Sequence, residues 1–214
     1  MTTTDEPPKR RGRPPSGGRE AILEAALEIL REQGIANLTS REVAARAGVS
    51  DASVYYHFGD RAGLLQAMFE SGMKPLLFMT DLDPEAMDPG DVVRRAAASL
   101  ETFFDDVLPV LYAGQSDPEL RGIVAEYIEA KDLGPHMGVR ALGAYLRSQQ
   151  EAGRVGGEFD PEAVALLIID AAFARAARRT MLLHSEERLP TNDAVLAEIG
   201  RILEPPGRAG SADG

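Results

Sequence analysis

The sequence has no cysteine, only three histidines in 214 residues, and an aromatic share of 6%. Without cysteine there is no disulfide, no thiolate metal site and no thiol nucleophile, which suits a reducing, cytoplasmic setting. His57, His136 and His184 lie far apart in sequence and leave little for metal chemistry. Long apolar runs are missing as well. The longest, from Ala163 to Ile169, meets Asp170 and falls far short of the roughly 20 residues a membrane span needs. The basic leader is followed by a charged helical pattern, so no secretory signal and no membrane partner are expected. There is no H-E-x-x-H, no phosphate loop and no Gly-x-Ser-x-Gly. Asp105 and Asp106, adjacent on a helix, point about 100° apart, which favours solvation over a shared metal. The expectation is a protein that is not an enzyme, with no catalytic residue, cofactor or metal ligand.

Positive charge is scarce overall, with 23 Lys and Arg against 34 Asp and Glu and a net charge of −11, but it is unevenly placed. The first 19 residues carry +3 and residues 1–66 are neutral, so the whole excess of acid falls on residues 67–214. Screening limits Coulomb reach to about 8 Å at physiological salt, so a remote acidic part does not keep a neutral or basic end from phosphates. Glycine and proline crowd both ends, which reads as loose tails over 1–18 and 205–214.

Between the tails the apolar pattern is helical throughout, and the chain reads as all-α with no alternating strand pattern and no internal repeat. Ile22, Ala25, Ala26, Ile29 and Leu30 mark a first helix stopped by Gly34. Val92 to Val107 marks another, which Pro109 should end or kink. Leu120 to Ile128 and Met137 to Tyr145 follow. Asp160-Pro161-Glu162 opens a long helix to about Leu183, and a last one runs from Asp193 to Leu203.

The most informative stretch is LTSREVAARAGVSDASVYYHFGDRAGLL, Leu38 to Leu65. Thr39 and Glu42 have the spacing of a capping box, with Leu38 and Val43 as its hydrophobic staple, and set a helix over Ser40 to Ala47. Gly48 supplies a left-handed stop, Ser50 caps the next helix, and Gly59 ends it. Two short helices joined by a tight glycine turn, with small Ala44 at the crossing and Val54 beneath, have the spacing of a helix-turn-helix, whose second helix can enter a DNA major groove. Tyr55, Tyr56, His57 and Phe58 cannot all be buried on one two-turn helix, so some must offer hydroxyl or imidazole groups outward, where phosphate oxygens can accept them.

These residues resemble the DNA-binding end of the TetR family of bacterial transcriptional regulators, closely over Arg19 to Phe69 and beyond that in length and helical layout. The resemblance implies an N-terminal three-helix domain over 19–66 with the helix-turn-helix, and a helical effector-binding and dimerisation domain over 67–204. It places Thr39 and Ser40 at phosphates and Arg41 within reach of a base edge. Ser50, Asp51, Ala52 and Ser53 would begin the recognition helix, Tyr55, Tyr56 and His57 would meet backbone or base, and Arg61 stands where the family often has a phosphate-binding lysine. Asp51 reads either as an anion favoured by the helix dipole or as a cytosine contact.

Upstream, Lys9-Arg10-Arg11-Gly12-Arg13-Pro14 resembles an AT-hook core whose Arg10, Arg11 and Arg13 would enter a narrow minor groove; the alternative is a solvated basic leader. In the second domain the long helix from Pro161 is apolar on most sides. With Leu166, Ile169 and Phe173 on it and Val195, Ile199 and Ile202 on the last helix, it is the candidate for a two-fold homodimer interface. Effector-pocket candidates are Met73, Phe78, Phe103, Phe104 and Leu108, then Tyr112, Tyr127, Met137 and Tyr145, with His136 as a polar fixture. The reading is a ligand-responsive repressor that binds double-stranded DNA as a homodimer and is released by a small, largely apolar effector. The alternative is a helical protein-interaction module.

Overall fold

The structure, a computed structural model, describes residues 18–83, 85, 87–116, 118–156, 158–181 and 188–204. All regular structure among the described residues is helical. Helix α1 (Gly18–Gln33) is followed by a 3-10 turn at Ile35–Asn37, α2 (Ser40–Ala47), α3 (Asp51–Phe58) and α4 (Arg61–Gly72). A 3-10 segment, Lys74–Asp81, leads to α5 (Pro89–Ser116), α6 (Pro118–Ala130), α7 (Pro135–Glu151), α8 (Pro161–Thr180) and α9 (Asn192–Leu203). Arg10, Arg11 and Arg13, His184 and the tail over 205–214 lie outside the described residues.

Helix α1 buries Ile22, Leu23, Ala25, Ala26, Ile29 and Leu30 and leaves Glu24 and Glu28 in water, the stripe its periodicity predicts. That stripe meets Leu38, Val43, Val54 and Leu65 in a first core. Each fully buried aliphatic side chain contributes about 1.5–3 kcal/mol. A head of some 50 residues rarely closes a sufficient core alone, and here it borrows Val107, Val110 and Ala113 from the far half of α5. The near half of α5 supplies Val92, Ala96 and Leu100 to a second core with Leu142 and Leu146 of α7, Ile168 of α8 and Ile199 of α9. A 28-residue helix, about 40 Å long, is therefore shared between head and body. The junction anticipated at residue 66 falls within α4, which runs unbroken to Gly72 and packs on α5. A Cβ on Gly72 would come within 2.5 Å of Val107 Cγ2, so the two helices cross there only because the side chain is absent.

Two boundaries differ from expectation. Of an end or a kink at Pro109, the end does not occur, because α5 continues to Ser116; the carbonyl that the proline leaves without its donor is taken by a contact from outside the helix, described below. Helix α8 stops at Thr180 rather than near Leu183, where the amide of Met181 closes back on the Ala177 carbonyl. The last helix is capped by Thr191, whose hydroxyl accepts from the Ala194 amide at 3.2 Å. Its end is tied to the α7–α8 connection, where the amide of Gly156 donates to the Leu203 carbonyl at 2.8 Å.

Candidate nucleic-acid interface

Three local caps set the reading element. Thr39 Oγ1 accepts from the Glu42 amide at 3.2 Å. The return half of the capping box is made by the backbone, because the Thr39 amide donates to the Asn37 carbonyl at 2.8 Å. Leu38 and Val43 are both buried beneath, as a staple requires. Gly48 adopts φ 67° at the end of α2, a left-handed conformation that a side chain would strain. Ser50 Oγ accepts from the Ser53 amide at 3.2 Å and starts α3. Asp60 Oδ1 accepts from the Gly63 amide at 2.8 Å and starts α4.

With both ends fixed, α3 sends Val54 and Phe58 into the first core and turns its other faces out. Tyr56 is 80% exposed and Tyr55 55%. Asp51 and Ala52 are exposed at the helix start, while Ser53 and His57 are half-buried. The His57 ring stands edge-on to Tyr56 at 5.1 Å between centroids. Arg41 is exposed on α2. A groove of about 300 Å³ opens between the starts of α2 and α4 and brings Thr39, Ser40, Tyr55 and Arg61 to one place over Leu38, Val54 and Leu64. Ser40 Oγ donates to Tyr55 Oη at 3.3 Å, and the Arg61 guanidinium donates to the Ile35 carbonyl at the rim. Hydroxyls, a guanidinium and exposed helix N-termini on one rim form a surface suited to phosphate oxygens. Arg46 stands apart from it: Glu32 at 2.8 Å and Glu28 at 3.7 Å neutralise it, and the hydrogen bond to Glu32 raises its pKa.

Among the described residues the effector candidates are divided between different apolar clusters. Met73, Phe103 and Tyr127 pack on the first core, and Phe78 and Tyr145 on the second. Phe104 bridges the second core to a small third cluster that holds Leu108 and Tyr112. Met137 and His136 are exposed at the start of α7, with His136 Nε2 3.3 Å from Asp132. Tyr127 donates to Glu70 at 2.9 Å; burial first, then this bond, pushes its pKa up to about 12. Of the interface candidates, Leu166, Phe173 and Ile202 face outward and Val195 is half-buried, while Ile169 and Ile199 are buried in the chain's own second core.

Sequence reasoning missed a cleft of about 690 Å³ that lies between head and body. Leu30, Arg31 and Ile35 form one wall, Pro109, Tyr112 and Ala113 of α5 another, and Arg179 of α8 closes it; Tyr112 is the one effector candidate that lines it. Arg31 and Asp106 are 75 residues apart, and nothing local in the chain marks them as partners. It missed Leu167 too, which is 59% exposed on α8 beside Leu166.

A capped helix-turn-helix head on a larger helical body is the architecture of a DNA-binding regulator. Residues 22–68 match the family described as bacterial regulatory proteins, tetR family. An HTH-type transcriptional regulator of Mycobacterium bovis is 31% identical over 94% of this chain and 99% of its own length. The chain belongs to the TetR family of transcriptional regulators, with the family's DNA-binding domain at its N-terminal end. Several other relatives align through the head alone. The HTH-type regulator SrpR of Pseudomonas putida is 40% identical over 58 residues, 27% of each chain. NalD of Pseudomonas aeruginosa, described as the secondary repressor of a multidrug efflux pump, shares the fold with a TM-score of 0.59 at 20% identity, over 87% of this chain and 96% of that one.

Proposed function

We propose that this regulator is a repressor that binds a pseudo-palindromic operator as a homodimer and is released by a small effector. The observation that carries the reading is the outward pairing of Tyr55 and Tyr56 on α3 beside the groove that gathers Thr39, Ser40 and Arg61. In this reading α3 enters the major groove with Ser50, Asp51, Ala52 and Ser53 leading, Arg41 reaches from α2, and the tyrosines, His57 and Arg61 fix the register on phosphates. Leu166, Leu167 and Phe173 of α8 with Ile202 of α9 supply an outward apolar face of the kind a two-fold four-helix interface buries. Two heads about one DNA turn apart gain the affinity and palindrome selectivity that a single short head lacks. The repressor role follows that of NalD. The effector enters through the head–body cleft lined by Tyr112, and the basic arm with Arg10, Arg11 and Arg13 adds minor-groove or phosphate contacts. Selection of bound duplexes from a random pool tests the reading. Recovered sequences should show a dyad with fixed half-site separation, and recovery of none, or of sequences without a dyad, would reject it.

A further inference from the structure

The Proline at position 109 and the arginine at position 31 solve one backbone problem together. Proline has no amide hydrogen, so the carbonyl four residues earlier, that of Asp105, loses the donor an α-helix would give it. Arg31, on the last turn of α1, donates to that carbonyl from Nη2 at 3.1 Å, and the same nitrogen lies 2.6 Å from Asp106 Oδ1. The Asp105 side chain is held instead by Arg179 of α8, with Nη2 at 3.0 Å from Oδ1 and 3.1 Å from Oδ2. Arg179 also reaches Glu101 at 3.5 Å. One turn of α5 is thus pinned to the head on one side and to the helix with the outward apolar face on the other.

The contact lies beside an opening rather than within close-packed core. The cleft of about 690 Å³ separates Leu30 and Ile35 from Pro109 and Tyr112, while Val107, Val110 and Ala113 on neighbouring positions of α5 pack in the head's core, so the Arg31 contact adds a direction to that packing. Arg31 bridges the gap. Its side chain is 42% exposed, and an exposed ion pair adds little to folding stability, whereas a guanidinium held by a backbone carbonyl and a carboxylate fixes a direction.

We propose that the Arg31–Pro109 joint is a positioning device for operator binding: Pro109 frees a carbonyl on α5 so that Arg31 can lock the reading head at the angle that two heads need to meet one duplex. This rests on the regulator reading above. Arg31 touches no DNA in this account and acts through the orientation of α2 and α3.

Pro109→Ala, Arg31→Gln and the double variant test it by mobility shift on a selected operator and on a duplex that keeps one half-site. Pro109→Ala restores the missing amide, which reclaims the Asp105 carbonyl. Its melting temperature should rise while operator affinity falls about fivefold, at the low end of ordinary coupling between sites. Arg31→Gln should weaken operator binding about tenfold with its melting temperature nearly unchanged, and Arg31→Lys should recover part of that loss. The double variant should be no weaker than Arg31→Gln alone. Binding to the one-half-site duplex should stay at the unsubstituted level in every variant, because one head has no partner to align with. Unchanged operator affinity in Pro109→Ala and Arg31→Gln, an equal loss on the half-site duplex, or multiplying losses in the double variant would overturn the joint. If the unsubstituted chain bound no duplex at all, the regulator reading would itself fail, a result distinct from variants that bind as well as the parent.

Discussion

Asp105 and Asp106 are neighbours on α5 that hold different helices: Asp105 takes Arg179 of α8 at 3.0 Å, and Asp106 takes Arg31 of α1 at 2.6 Å. The angle of about 100° between successive helical side chains, which makes the pair a poor metal site, suits it to reaching in two directions. A single turn of α5 therefore carries charge contacts both to α1 of the head and to α8 of the body.

Removing the outward tyrosine or the rim guanidinium should weaken operator binding without unfolding the chain. Tyr56→Ala and Arg61→Ala are each expected to lose tenfold or more in mobility shift, since a hydrogen bond to a charged group is worth about 1.5–3 kcal/mol. Tyr56 is 80% exposed, so its substitution should leave the urea midpoint unchanged. Intact shifts for both variants would remove this face from the interface.

Gly72→Ala should destabilise the chain by about 1–3 kcal/mol, the usual cost of overpacking. The new methyl would meet Val107 Cγ2, which is held in the first core from the α5 side. Urea unfolding of Gly72→Ala alone and combined with Val107→Ala measures it, and the combination should recover part of the loss.

Tyr127 should titrate far above an ordinary phenol. Its pKa rises from 10.0 to about 12, by burial first and then by the bond to Glu70. A folded-state pKa above the unfolded one means that the group's contribution to stability is full below pH 10 and is lost between about pH 10 and 12. Ultraviolet difference titration should show a late component that is lost in Tyr127→Phe, beside Tyr145, whose burial also raises its pKa. Glu70→Gln should bring the midpoint down only part of the way, because burial remains.

Charge placed on the outward face of α8 should separate protomers. Leu166→Glu with Leu167→Glu puts two carboxylates where the proposed interface buries apolar side chains. These side chains are 42% and 59% exposed in the single chain, so folding should tolerate the change. Sedimentation at micromolar concentration should report a dimer for the parent chain and a monomer for the variant, and two equal dimers would move the interface elsewhere.

What could be read from the chain alone follows the range of the forces involved. Thr39, Gly48, Ser50 and Gly59 act within three or four residues of themselves, so the bounds of α2 and α3 were legible, whereas which of Tyr55, Tyr56, His57 and Phe58 turn outward waits on the core beneath. At Pro109 the local rule names an end or a kink and α5 runs on, and the partner of the carbonyl that the proline frees is Arg31, 78 positions away in sequence and adjacent only after folding. The effector candidates are mostly large apolar residues at helical spacing. That spacing equally describes core, and Phe103, Phe78 and Tyr145 are packed there. The cleft was invisible for the same reason: its walls come from α1, α5 and α8, which no sequence window contains together.

The bond from Gly156 to Leu203 makes the last helix a clasp on the turn between α7 and α8. A protease nick or a premature stop shortly before Leu203 would release that clasp and unseat Ile199 and Leu203 from the second core. The damage would fall on the helices that lie farthest from DNA in the proposed complex, so a clipped molecule could keep a sound reading head yet lose the scaffold on which two heads are matched.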